Sequence, residues 1–295
     1  MATALNGAVE PVDSIIRTVA RSATEIRQGL IGRRSSAAEE NPSGETQLEA
    51  DVWADDLLYD RLSRLEGVAQ YASEEREEVL DCGDDVDVDD GVAVALDPLD
   101  GSSNLKSNNT MGTIVGIYDE PLPAPGEALL GACYVLYGPI TTMVVATEDG
   151  VSEYELGGGE ATVVQANVTL PDDPVVYGVG GRVPDWPPAI EAYVSRLESE
   201  LKLRYGGAMI GDINQVLTYG GLFAYPTLES SPEGKLRVQF EGNPIGYILE
   251  RAGGRSSDGH GSLLAVEPTE LHQRTPLYVG NKAYVDLIED ILADA

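Results

Sequence analysis

The chain is poor in sulfur, in positive charge and in long apolar runs. Its 295 residues include two cysteines, two histidines and 19 Lys plus Arg, and the lysines are only Lys106, Lys202, Lys235 and Lys282. Cys82 lies in an acidic stretch and Cys133 in an apolar one, so they do not read as the disulfide framework of a small secreted domain. No stretch approaches the roughly 18 apolar residues that a membrane-spanning helix needs. The opening Met1-Ala2-Thr3-Ala4-Leu5-Asn6 lacks the basic-then-apolar order of a secretory signal, and the expected location is cytoplasmic. Against the few cations stand 50 Asp and Glu, a formal charge of −31. Such a chain repels nucleic acid and anionic membranes, so neither is an expected partner. Self-repulsion on this scale destabilises a compact state, and molar salt, with a Debye length of about 3 Å, removes most of that penalty. The composition therefore reads as adaptation to a salt-filled, halophilic cytoplasm. The acidity is spread along the chain, densest from Asp81 to Asp90, and forms no appended tail.

What is present is a globular pattern. Hydrophobic residues make up 42% of the chain, enough for one large domain or two smaller ones with real cores. Pro11 opens an expected helix with Val12, Ile15, Ile16, Val19, Ile26 and Leu30 on one face. Residues 32–46 are polar and read as a mobile loop. A second helix is expected from Gln47 to Leu65, with Leu48, Val52, Leu57, Leu58 and Leu62 inward. Strands follow near 92–97, 112–118 and 130–137, then a hairpin joining 140–147 to 151–156 through Asp149-Gly150. Gly157-Gly158-Gly159 and residues 167–174 suggest a boundary, giving an N-terminal half, 1–160, and a C-terminal half, 161–295. The latter alternates strands with helices expected at 188–203, from Asp212, and from Asn243-Pro244 to Gly253-Gly254.

The densest chemistry lies at Asp97-Pro98-Leu99-Asp100-Gly101-Ser102-Ser103-Asn104, with Ser73-Glu74-Glu75 upstream. The run Val92-Ala93-Val94-Ala95-Leu96 reads as a buried strand ending in the Asp97 carboxylate. Pro98 forces a turn, and Asp100 and the Leu99 carbonyl come back to the same space. Gly101 to Ser103 supply free backbone N–H groups suited to a phosphate. Alone, Asp-Pro and Asp-Gly pairs mark ordinary turns. Hard oxygen ligands beside a phosphate cradle are what Mg²⁺-assisted phosphoryl transfer requires.

Asp97 to Asn104, followed by Met111-Gly112-Thr113-Ile114-Val115-Gly116-Ile117-Tyr118, resembles the signature of class I fructose-1,6-bisphosphatases. Arg204-Tyr205-Gly206-Gly207-Ala208-Met209, Tyr219 to Pro226, Lys235-Leu236-Arg237, Glu241-Gly242-Asn243-Pro244 and Pro268 to Arg274 resemble further family blocks in the family's order. The resemblance spans roughly residues 10 to 285. It implies an α/β protein with the layered α-β-α-β-α sugar-phosphatase fold, and Mg²⁺-dependent hydrolysis of the 1-phosphate of fructose 1,6-bisphosphate in gluconeogenesis. Broader sugar bisphosphatases, acting on sedoheptulose 1,7-bisphosphate, and inositol-type monophosphatases are the alternatives. A catalytically silent regulator is a remote one.

The resemblance also implies roles. Glu74, Asp97, Asp100, Glu241 and the Leu99 carbonyl are the implied ligands of two or three Mg²⁺ ions, with Mn²⁺ as a substitute. Glu45 stands where the family has a metal-adjacent Asp. Glu75, with Asp51, is implied to activate the attacking water, and Glu74 adjoins them. Gly101, Ser102 and Ser103 cradle the reacting phosphate; Asn104 either caps the next segment or contacts ligand. Arg204, Tyr205 and Tyr225 meet the far phosphate, and Lys235 bridges toward the sugar. The Arg at position 204 crosses a subunit interface in the family, which implies a homotetramer or homodimer. His272 reads as part of a structural polar cluster.

Two departures stand out. The family places an Asn and a Tyr in the loop that here reads Tyr177-Gly178-Val179-Gly180-Gly181-Arg182, leaving Arg182 as the replacement contact. The family's N-terminal nucleotide-inhibitor turn has no counterpart in Thr3 to Ala8, and its Lys-Tyr partner is replaced by Gly91-Val92.

Overall fold

The apolar run Val92 to Leu96 lies inside an eight-stranded sheet and is buried on both faces. The computed structural model describes residues 7–42, 46–82 and 91–294. Across this sheet the strands run Glu160–Ala166, Gly150–Gly157, Thr141–Thr147, Leu129–Tyr137, Met111–Tyr118, Val92–Asp100, Val68–Ser73 and Leu80–Asp81. Neighbours are antiparallel except Val68–Ser73 beside Val92–Asp100, which are parallel.

Alternation divides the sheet's two faces. Val94, Leu96, Val115, Ile117 and Cys133 pack with Ile15, Ile16, Leu58 and Leu62 of helices Val12–Gly29 and Glu49–Leu62. Ala93, Ala95, Ile114 and Tyr134 pack the other way, against Met209, Ile210 and Ile213 of helix Met209–Tyr219 and Ile245, Ile248 and Leu249 of helix Asn243–Arg251. A second sheet follows, ordered Lys202–Leu203, Val176–Val179, Gly221–Tyr225, Leu277–Gly280, Arg255–Ser257. Its Phe223 and Val279 close the middle core. Its Leu222, Ala224 and Tyr278 face helices Pro188–Glu200 and Lys282–Ala293 through Ile190, Tyr193, Val285 and Ile288. The layers are helix, sheet, helix, sheet, helix, as expected.

Several elements differ in detail from the sequence reading. The second helix is Glu49–Leu62 and buries Ala50, Asp51, Ala54, Asp55, Leu58 and Leu62. Val52, expected inward, is 38% exposed. The helix turns Asp51 toward the cavity and Asp55 inward onto Tyr71 and Arg76, and Val52, one residue round from Asp51, is carried outward. The segment 32–46 carries a short ladder, Ser36–Glu40 paired antiparallel with Thr46–Leu48. Glu45, most of the acidic stretch 81–90 and most of the segment Thr3 to Ala8 lie outside the described residues. The helix expected from Asp212 begins earlier, at Met209. Helix Asn243–Arg251 has Pro244 in its first turn. It ends where Gly253 takes φ +87° and Gly254 N–H returns to the Leu249 carbonyl, a glycine C-terminal stop.

Candidate active site

Asp97 pairs with Ile114 and Asp100 with Gly112, so three steps along one strand face two on its neighbour. This is a β-bulge at Pro98-Leu99. In a regular strand, residues three apart point to opposite faces; the extra residue turns both carboxylates into one cavity. The strand therefore does not end at Asp97, as the sequence suggests, but continues to Asp100. Pro98 has no N–H to leave unpaired at the bulge. The Pro98 carbonyl accepts from Thr113 Oγ1 at 2.9 Å, and Leu99 N–H donates to Asp97 Oδ1 at 2.8 Å.

The cradle follows at once. Gly101 has φ +74°, and a Cβ there would sit 2.1 Å from the Ala208 Cβ. Backbone conformation and close approach both demand glycine. Ser102 N–H donates to the Leu99 carbonyl at 3.1 Å and Asn104 N–H to Gly101 at 2.8 Å. Leu99, Gly101, Ser102 and Ser103 line the cavity, of about 160 Å³, together with Gly207 and Ala208 before helix Met209–Tyr219.

Other elements deliver the remaining acids. Ser73 pairs with Leu96 in the parallel ladder, so Glu74 emerges beside Asp97. Asp51 lies in the first turn of its helix and accepts the Leu48 N–H at 2.7 Å. Glu75 accepts from the buried Gln47 amide. Glu241 sits in a π-helical turn, Val238–Gly242, that runs into helix Asn243–Arg251; such turns recur at functional sites. Oxygens of Glu74, Asp97 and Glu241 lie within 4.8 Å of one another.

Crowding sets the electrostatics. Burial pushes Asp51 up to about 6. Burial, then Glu241, pushes Asp100 up to about 7. Asp97 is held well above the carboxylate range by burial, with Asp100 and Glu241 adding repulsion. Arg237, only 3% exposed, partly offsets this charge: its Nη2 bonds Glu74 Oε1, and its Nε stands 3.5 Å from Glu241 Oε2. The sequence reading placed Arg237 in a family block without a role; the available signal was its four-residue spacing from Glu241. Glu74 Oε2 is buried with no hydrogen-bond partner. A converging set of hard oxygen donors with one carboxylate oxygen still unsatisfied fits a divalent cation.

The structure brings Tyr225 and Lys235 to the same cavity. Lys235 Nζ lies 4.9 Å from the Tyr225 ring centre, and the Tyr205 hydroxyl lies 3.4 Å from that of Tyr225. Arg204 and Arg182 are exposed, and neither lines this cavity. Asn104 donates to the carbonyls of Thr110 at 2.8 Å and Gly206 at 3.0 Å, a structural bond between the cradle and the 204–207 loop. A Cβ on Gly180 would meet the Tyr225 ring at 2.0 Å.

Two sheets between three helical layers, with an acid-lined cavity where they meet, define the layered α/β sugar-phosphatase class. Residues 3–165 match the family model "Fructose-1-6-bisphosphatase, N-terminal domain", and residues 170–293 match "Fructose-1-6-bisphosphatase, C-terminal domain". The "Fructose-1,6-bisphosphatase class 1" of Natronomonas pharaonis is 59% identical over 286 residues, covering 96% of this chain and 99% of that one. That of Halobacterium salinarum is 58% identical over 283 residues, covering 96% and 98%. The crystal structure of Leishmania major fructose-1,6-bisphosphatase in holo form superposes with a TM-score of 0.91 at 28% identity, covering 99% of both chains. The chain belongs to the class 1 fructose-1,6-bisphosphatase family, whose members are phosphatases.

Proposed function

We propose that the protein hydrolyses the 1-phosphate of fructose 1,6-bisphosphate to fructose 6-phosphate and phosphate in gluconeogenesis, with Mg²⁺ as cofactor. The observation that carries this reading is the convergence of Glu74, Asp97, Asp100 and Glu241 beside the Gly101–Ser103 cradle. These four acids and the Leu99 carbonyl are the proposed ligands of two or three Mg²⁺ ions, with Mn²⁺ as a substitute. Glu45 is a further ligand proposed from the resemblance. When bound, divalent ions neutralise phosphoryl charge, acidify a water and steady the leaving oxygen.

The chain's own groups do the rest. Asp51 and Glu75 accept the proton of the attacking water, Asp51 held by Leu48 N–H and Glu75 by Gln47. Backbone N–H groups of Gly101 and Ser103 hold the reacting phosphate, with Ser102, whose N–H is turned to the Leu99 carbonyl, offering its side chain. Tyr225, Lys235 and Tyr205 orient the sugar and far phosphate. Arg204 is exposed and off its own chain's cavity, which suits a bidentate donor offered to a neighbouring subunit of a homodimer or homotetramer. Thus residues 1–160 supply most of the metal and cradle chemistry, 161–295 supply the sugar-phosphate contacts, and Glu241 crosses between them. The proposed location is cytoplasmic; no described helix is long and apolar enough to cross a membrane. The −31 charge supports a salt-adapted one.

A second reading is a broader sugar bisphosphatase, including activity on sedoheptulose 1,7-bisphosphate. It is favoured by Gly180-Gly181, which leave no side chain where the family has its phosphate contacts; Arg182 is the proposed replacement. Phosphate release from fructose 1,6-bisphosphate with and without Mg²⁺ tests the first reading, and competition between the two bisphosphates separates it from the second. An inositol-type monophosphatase would turn over monophosphates at least as well. A silent regulator would bind Mg²⁺ without turnover.

A further inference from the structure

The segment carrying Glu74 and Glu75 is fixed at one residue from two directions. Arg76 donates through Nε to Asp55 Oδ2 at 2.6 Å and through Nη2 to Asp56 Oδ1 at 3.0 Å. Both acids belong to the helix that carries Asp51. The guanidinium also lies 4.6 Å from the Tyr59 ring centre, and Tyr71 hydroxyl donates to Asp55 Oδ1 at 2.7 Å. From the other side, the Arg76 carbonyl lies 2.8 Å from His272 Nε2. The His272 ring packs on Phe240 with centroids 5.1 Å apart, and Phe240 is fully buried immediately before Glu241. One imidazole therefore touches the residue two after Glu74 and the residue just before Glu241.

The protonation state follows from the partners. A carbonyl only accepts, so His272 Nε2 carries the proton. Nδ1 is buried with no hydrogen-bond partner, and a second proton there would be a stranded charge. Burial, with Arg237 adding to it, lowers the His272 pKa in the same sense. The ring is a neutral donor fixed in one tautomer.

We propose that Arg76 and His272 are positioning residues that set how far Glu74 and Glu75 stand from Glu241, and so tune the cluster's affinity for divalent cations. The inference rests on reading the cluster as a divalent-cation centre. Neither residue lines the cavity. Both act through their neighbours, as partners of metal ligands do elsewhere, where their loss weakens metal binding about 10–100-fold. A merely structural cluster would change the melting temperature and leave the affinity of the folded protein alone.

The test is Mn²⁺ binding to the full-length, substrate-free protein, followed by electron paramagnetic resonance, beside metal-free melting. His272→Asn is too short to reach the Arg76 carbonyl, whereas His272→Gln places an amide nitrogen near the position of Nε2. His272→Asn is expected to weaken Mn²⁺ binding about tenfold, with His272→Gln close to wild type. Val285→Ala, in the distant core beneath helix Lys282–Ala293, is expected to lower melting with Mn²⁺ affinity unchanged. Wild-type Mn²⁺ affinity in His272→Asn would overturn the proposal, as would an equal loss in Val285→Ala. If His272→Asn does not fold, Arg76→Lys decides: it keeps the charge but loses the two-acid fork, and unchanged Mn²⁺ affinity would overturn the proposal. A wild-type protein that binds no Mn²⁺ would instead remove the divalent-cation reading.

Discussion

Asp100 Oδ2 accepts the backbone N–H of Ile210 at 2.7 Å, so an acid at the end of a first-sheet strand holds the first turn of helix Met209–Tyr219. This folding contact and the proposed metal-ligand role of Asp100 separate on substitution. Asp100→Asn keeps an acceptor for Ile210 but loses the charge offered to the cavity. Turnover is expected to fall by about two orders of magnitude or more, with folding retained. Asp97→Asn is expected to behave alike. Initial rates at saturating Mg²⁺, set beside melting curves, check this; near-wild-type turnover in Asp100→Asn would contradict it.

Arg237 is a buried cation between Glu74 and Glu241. Arg237→Met leaves those acids uncompensated, and breaking a buried pair costs about 3–5 kcal/mol. The metal-free variant is expected to melt well below wild type, and saturating Mg²⁺ to recover much of the deficit by supplying a cation in the same cluster. Melting with and without Mg²⁺ checks this; an equal deficit in both would place the role of Arg237 elsewhere.

The site was legible where chemistry is local in sequence. Asp97 to Ser103 announced carboxylates and a cradle, and the apolar run before them announced a buried strand. The bulge at Pro98-Leu99 was not legible as a bulge, because Pro-containing turns and bulges share a sequence pattern; only the pairing with Gly112 and Ile114 tells them apart. Glu241 was named by the family resemblance, but the π turn that carries it left no signal, since its backbone is set by tertiary packing. Asp51 and Asp55 inside a helix look like solvated acids until the sheet they face is known. Likewise His272 and Arg76 are 196 positions apart, a separation no local pattern bridges. The five-layer order came from the family resemblance, since periodicity gives elements and not their stacking.

The raised carboxylates give a pH dependence with a definite sign. Asp51 at about 6 and Asp100 at about 7 bind protons more tightly folded than unfolded, where Asp titrates near 3.9. The unfolded state therefore holds fewer protons between about pH 4 and pH 7, and metal-free stability falls as pH rises through that window. Divalent cations displace those protons, so Mg²⁺ affinity is expected to rise over the same range. Chelator-treated protein melted from pH 5 to 8, with and without Mg²⁺, checks both; metal-free melting that climbs with pH would contradict the assignment.

The acid surface predicts salt dependence. With 50 Asp and Glu against 19 Lys and Arg, screening changes the repulsion far more than any single pair. Raising KCl from about 0.1 to 3 M is expected to raise the melting temperature and favour assembly. Melting and light scattering across that range check this; flat stability with full activity at the low end would mean the acidity is not a salt adaptation.

The most direct test is phosphate release from fructose 1,6-bisphosphate by the purified protein in molar KCl, with Mg²⁺ and then with excess chelator, beside Asp97→Asn. The expected result is Mg²⁺-dependent release of one phosphate per sugar, leaving fructose 6-phosphate, abolished by chelator and reduced by about two orders of magnitude or more in the variant. Release that persists in chelator, or in Asp97→Asn at the wild-type rate, would contradict a carboxylate-held metal centre as the seat of the reaction.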